Sequence, residues 1–340
     1  MMINQSSRPN WLATILATRT VQLVIVLWLL ATGVAYWFGR DGLPFDRPSF
    51  AGFPFFAQLG GTFALVLILP LIHMGLTYLI TRNRPIPDLG ERVASVAVAR
   101  QETLFLIGYG LVMFVIGQLL GRAIWGAGFG GHMHGSLFGA TRHTEPVEAI
   151  VWAIYNFTAF ALLPYLYFRN KGYSAAALGL TTTNWLNDLI IILVIGSVGV
   201  VTDLFISNFL TLSGRQLLLG IPLAFALQMF GTALPIMIFI YSILLPRYVR
   251  LTGSTVTTVL LGGLTYASFH LFDSWTAYTS APNVLLSIIF VFFQFFGPGM
   301  LKAYLTLRTG NAWVHLWGYH IVSPHVTVDT PIIVDAFNIR

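Results

Sequence analysis

Eight long apolar runs constrain this chain more than any other feature. They fall at roughly 20–39, 57–80, 103–121, 148–168, 186–210, 219–245, 254–272 and 283–304. Each is long enough to cross about 30 Å of hydrocarbon as a helix. A ninth run, about 311–322, is short and is expected as a half-span or re-entrant helix. Composition agrees, with 56% hydrophobic and only 9% charged residues, where a soluble domain carries about 25% charged. The fold class that follows is all-α: a polytopic transmembrane helix bundle of about eight spans plus one short C-terminal membrane helix.

The basic residues give the orientation. With the N-terminus inside, 12 Lys and Arg lie on inner segments and 6 on outer ones, the asymmetry of a positive-inside protein. The basic excess therefore reads as orientation charge and not as nucleic-acid binding. The expected setting is the lipid bilayer of a bacterial cytoplasmic membrane. Cysteine is absent, which removes disulfides, thiolate metal sites and cysteine nucleophiles. The first run is too long for a signal-peptide core and reads as a retained anchor.

Polar chemistry is sparse. The outer loop "GRAIWGAGFGGHMHGSLFGATRHTEP" holds His132, His134, His143 and Glu145, a group able to bind a divalent metal, but the spacing matches no strong metal signature and the favoured reading is a solvated loop. Asp203 is an intramembrane acid late in the fifth run, near the outer interface, and is a functional candidate on that ground. His73 is expected to hydrogen-bond within the bundle. The C-terminal "NAWVHLWGYHIVSPH" carries His315, His320 and His325. Five residues turn an α-helix by about 500°, which leaves successive histidines about 140° apart. No shared ligand face is expected, and His325, beyond Pro324, is expected at the outer surface.

Three segments carry a resemblance: "IMIFIYSILLPRYVRLTGS", "TYASFHL" and "FFGPGMLKAYLTLRTGNAWVHLWGYH". In this order they resemble the CPBP family, intramembrane metalloproteases related to CAAX prenyl endopeptidases and bacteriocin-processing proteins. The echo is strongest over about 235–320, and "NKGYSAAALGLTTTNW" resembles the linker upstream of that core. The resemblance implies a CPBP-like transmembrane core at 148–325, a three-span N-terminal extension at 1–147 and a C-terminal tail at 326–340. It also places His270 and His315 at family ligand positions, with Tyr241, Tyr266 and Tyr319 at other motif positions and His320 as an addition. The family's two glutamates are replaced by Ile236 and Met237, its arginine by Tyr241 and its asparagine by Tyr319.

Ile236 and Met237 can take no proton from an attacking water. Loss of a general base alone costs a factor of about 10²–10⁴. The expected function is therefore a non-proteolytic CPBP-fold scaffold or subunit, partnered by other membrane proteins and without a cofactor. A divergent active protease would need zinc at His270 and His315. A weaker alternative is a haem- or pigment-binding subunit. His270 and His315 are expected to face each other, hydrogen-bonded through Tyr319 and Tyr241.

Overall fold

A computed structural model describes residues 11–45, 54–133 and 144–340. All its regular structure is helical. The principal helices are α1 Arg19–Gly39, α2 Phe55–Thr81, α3 Val96–Trp125, α4 Pro146–Asn170, α5 Trp185–Phe205 and α6 Gly214–Thr252. They are followed by α7 Thr255–Ser268, α8 Ala281–Thr309 and α9, a continuous run over residues 312–336 broken only at Asp329. Seven of these, all but α7 and α9, are long and apolar enough to cross a membrane. The chain is an integral membrane protein.

Two apolar runs fold differently from the expectation. The run at 254–272 gives a helix of only 14 residues, about 21 Å long and short of the hydrocarbon thickness. Its polar end, His270–Asp273, leaves the helix for a chain of tight turns in which Asp273 N–H bonds the His270 carbonyl and Thr276 N–H that of Asp273. The short run at 311–322 instead continues helically past Pro324 to Ala336.

Helix ends follow local chemistry. Ser95, Asn184, Ser254 and Ser280 accept a backbone N–H from the first turn of α3, α5, α7 and α8. Ser213 and Gln216 form a reciprocal capping box at the start of α6. Such caps satisfy donors that a helix start leaves unpaired. Gly126, Gly253 and Gly310 close α3, α6 and α8 in the left-handed conformation, which glycine adopts without steric cost.

Proline accounts for much of the irregularity inside the helices. Four π-helical stretches, Ala64–Ile68, Phe157–Leu162, Met229–Ala233 and Met237–Leu244, stop two residues before Pro70, Pro164, Pro235 and Pro246 respectively. A proline ring collides with the carbonyl four residues back and offers no N–H, and widening the preceding turn relieves both. The longest π stretch, Leu316–Val328, contains Pro324.

The helix pairing that carries the site is α7 on α8. A Cβ at Gly262 would meet Ala303 Cβ at 2.6 Å, and one at Gly299 would meet Gly263 Cα at 2.9 Å. Small residues let these backbones approach and press Tyr266 and His270 onto Phe295 and Lys302 of α8. Segments on either side of residue 147 are also tied together. Arg84 donates to Asp188 Oδ1 (2.6 Å) and to the Thr309 carbonyl (2.9 Å), and Arg247 Nε donates to Glu102 (2.9 Å).

Candidate metal centre

The site begins at the turn that ends α7. His270 is completely buried, and its Nδ1 lies 3.0 Å from Asp273 Oδ2. The glycine-rich loop after α3 packs against the same turn. A Cβ at Gly130 would meet the Phe272 carbonyl at 2.9 Å, and one at Gly131 the Phe269 carbonyl at 2.7 Å. Only residues without side chains allow this approach, and it delivers His132 to Asp273. The His132 backbone N–H donates to Oδ1 (3.3 Å), and its ring Nδ1 lies 3.3 Å from Oδ2.

One carboxylate thus holds two imidazoles. Burial would push the Asp273 carboxyl up, but the neighbouring His270 and hydrogen bonds from both imidazoles outweigh it. The carboxyl is held below the ordinary carboxylate range and stays ionised. Ligand atoms of His132, His270 and Asp273 lie within 4.8 Å of one another, and all three residues are buried. Two histidines and a carboxylate are a donor set used by divalent transition metals, and three protein ligands leave positions open for water or substrate.

The second element is α9. His315 and His320 are fully buried and His325 nearly so. Their five-residue spacing matches the i→i+5 hydrogen bonding of a π-helix, which stacks such residues on one side. Ring centres are 6.2 Å apart for His315 and His320 and 5.1 Å for His320 and His325. The row then meets the first group, because His325 and His132 have ring centres 5.3 Å apart and His132 stacks on His270 at 4.3 Å. His325 Nδ1 is held by Asp329 at 2.9 Å. Among the described residues, Nε2 of His270, His315 and His325 and both ring nitrogens of His320 make no hydrogen bond.

These positions correct several expectations. His270 and His315 do not face each other. His270 packs on Phe295 and His132, whereas His315 packs on Tyr241 and has its Nδ1 3.2 Å from Thr306 Oγ1. The tyrosines are not their hydrogen-bond partners. Tyr241 donates to the Gly299 carbonyl, Tyr319 packs on His73, and Tyr266 presents its ring to His270 and His320. His320 joins the row because the helix is π and not α, and His325 is buried and not at the surface for the same reason. Asp203 is tied to the row's own helix, accepting from Ser323 at 2.5 Å and Thr327 at 3.4 Å. His73 bonds the Leu69 carbonyl within the bundle, as expected.

Sequence reasoning weighed His132 and set it aside as part of a solvated loop, and it passed over Asp273 and Asp329. His132 is not solvated but buried against Asp273. His134 and His143 lie outside the described residues. A signal was present in each case: Gly-Gly before a histidine, and His-x-x-Asp and His-x-x-x-Asp pairs inside otherwise apolar sequence. Ile236 and Met237 are buried among apolar side chains.

A substitution in the loop tests how the site is assembled. Gly131→Val places a branched side chain against the Phe269 carbonyl and the His270 ring, so the loop is expected to move away and carry His132 with it. Zinc affinity should fall by roughly 10–100-fold, the range seen when residues that orient metal ligands are disturbed, in a protein that still elutes as a folded species. Unchanged affinity in G131V would separate the loop from the site.

No family model, curated protein or solved structure matches this chain.

Proposed function

We propose that this chain is a membrane-embedded metalloprotein that binds one zinc-like divalent ion between His132, His270 and Asp273. The observation that carries the reading is the convergence of two buried imidazoles and a carboxylate contributed by separate parts of the chain. A buried polar atom without a partner is costly, and His270 Nε2 is one. Such an ion would supply Lewis acidity and an activated water for hydrolysis. This chain's own residues hold the ligands in place and exclude bulk water. His270 is also a ligand position under the CPBP resemblance, so a divergent intramembrane hydrolase is the reaction class that fits both considerations.

Elemental analysis of protein purified in mild detergent tests the reading. About one equivalent of zinc or another late transition metal per chain is expected. A chain that stays metal-free after dialysis against micromolar zinc would overturn it.

The second reading is a non-proteolytic scaffold within a membrane complex, favoured by the apolar burial of Ile236 and Met237 where the family carries its acids. It expects no metal and a co-purifying membrane protein.

The proposed setting is a bacterial cytoplasmic membrane with the N-terminus inside. Because the chain has no cysteine, single cysteines report topology cleanly. Cysteine at Ser136 or Ser280 should react with an impermeant reagent in intact cells, and cysteine at Ser95 or Ser174 should not. The reverse pattern would invert the orientation.

A further inference from the structure

We propose that His320 and His325 form a second metal site, for a monovalent late transition ion of the copper(I) kind, adjoining the His132–His270–Asp273 site. The proposal builds on the zinc-site reading but rests on different residues.

His325 is already oriented as a ligand. Its Nδ1 is anchored on Asp329 at 2.9 Å, and its Nε2 has no partner. A carboxylate on one ring nitrogen with the other nitrogen free is the arrangement of metal-ligating histidines. His320 is fully buried, and neither of its ring nitrogens is hydrogen-bonded. A purely structural histidine at that depth is expected to find at least one partner.

The spacing also suits a shared ion. Two imidazoles bound to one ion at about 2.0–2.1 Å per nitrogen, with a bent N–metal–N angle between tetrahedral and trigonal, put their ring centres about 5–5.5 Å apart. His320 and His325 are at 5.1 Å. The π-helix that brings them onto one side is a rare backbone form and is often found at functional sites.

Charge and donor type select the ion. The pair offers neutral nitrogen donors, and Asp329, the nearby carboxylate, is engaged by His325. Imidazole suits copper, and copper(I) accepts bent three-coordinate sites whose third position is open to a small ligand.

The experiment is anaerobic copper(I) titration of full-length, zinc-loaded protein in detergent against a chromogenic chelator, with zinc retention measured in parallel. The wild type should hold one copper(I) and keep its zinc. H320F/H325Q should keep the zinc and lose copper(I) affinity by at least 100-fold. H132A/D273A should lose the zinc and still take copper(I).

Stoichiometric displacement of zinc by copper(I) would show one shared site and overturn the proposal, as would undiminished copper(I) uptake by H320F/H325Q. A wild type that binds copper(I) but no zinc would sink the zinc-site reading and leave this one standing. Should the double variant fail to fold, H320F alone serves. It removes an imidazole without hydrogen bonds, so its metal-free Tm should equal or exceed that of the wild type while copper(I) binding is lost. A fall in metal-free Tm with copper(I) affinity retained would make His320 structural.

Discussion

Alanine at Asp273 is expected to abolish stoichiometric zinc binding, lowering affinity by roughly 100-fold or more. The carboxylate is the negative charge of the proposed site and the acceptor that holds the rings of both His132 and His270. Its removal takes away one ligand and frees two others. Asp273→Asn separates these roles. The amide keeps the shape and can still accept a hydrogen bond, but it carries no charge, so D273N should bind more weakly than wild type and more tightly than D273A. Isothermal titration with zinc, or competition with a fluorescent chelator, reads the series. Equal affinities for the wild type and D273A would remove Asp273 from the site. His270→Ala should behave like D273A.

Arg247→Met should destabilise the folded protein by about 3–5 kcal/mol, the cost of leaving one partner of a buried ion pair behind. Arg247 and Glu102 are 1% and 2% exposed, and Arg247 Nε donates to Glu102 at 2.9 Å. The guanidinium also bonds the Ile243 carbonyl and stacks over the Phe168 ring. Lys171 and Tyr173 still reach the Glu102 carboxylate, at 2.8 and 2.9 Å, which places the expected loss toward the lower end of the range. Glu102→Leu combined with Arg247→Met removes both charges and should recover most of the stability. Denaturation in mixed micelles, run as a double-mutant cycle, measures the coupling. Simple additivity of the two losses would mean that the pair does not act as a unit.

Much of the architecture was written in the apolar runs, because span length follows from bilayer thickness and helix rise. Caps at Ser95, Ser213, Ser254 and Ser280 and the closing glycines at 126, 253 and 310 were likewise local signals. The backbone form of residues 316–328 was not legible. An α-helical reading separated His315, His320 and His325, and the π-helix gathers them. Pro324 suggested an interruption, yet a π turn accommodates a proline without ending the helix.

The candidate site was half legible. His270 stood out through its motif and its apolar surroundings. His132 did not, because its role depends on glycines 130 and 131 packing against a turn about 140 positions away in sequence, and local spacing carries no trace of that. Asp273 lies just past the apolar run at 254–272, and nothing in its local sequence ties it to the histidines. Its place beside them is visible only because α7 is too short to carry residue 273 beyond the bundle.

The most direct test of the central claim is a zinc K-edge anomalous difference map from crystals of the full-length protein in lipid. One strong peak is expected about 2.0–2.2 Å from a ring nitrogen of His132, a ring nitrogen of His270 and a carboxylate oxygen of Asp273. A peak elsewhere in the bundle, or a map without any peak from zinc-soaked crystals in which these three residues are ordered, would contradict it.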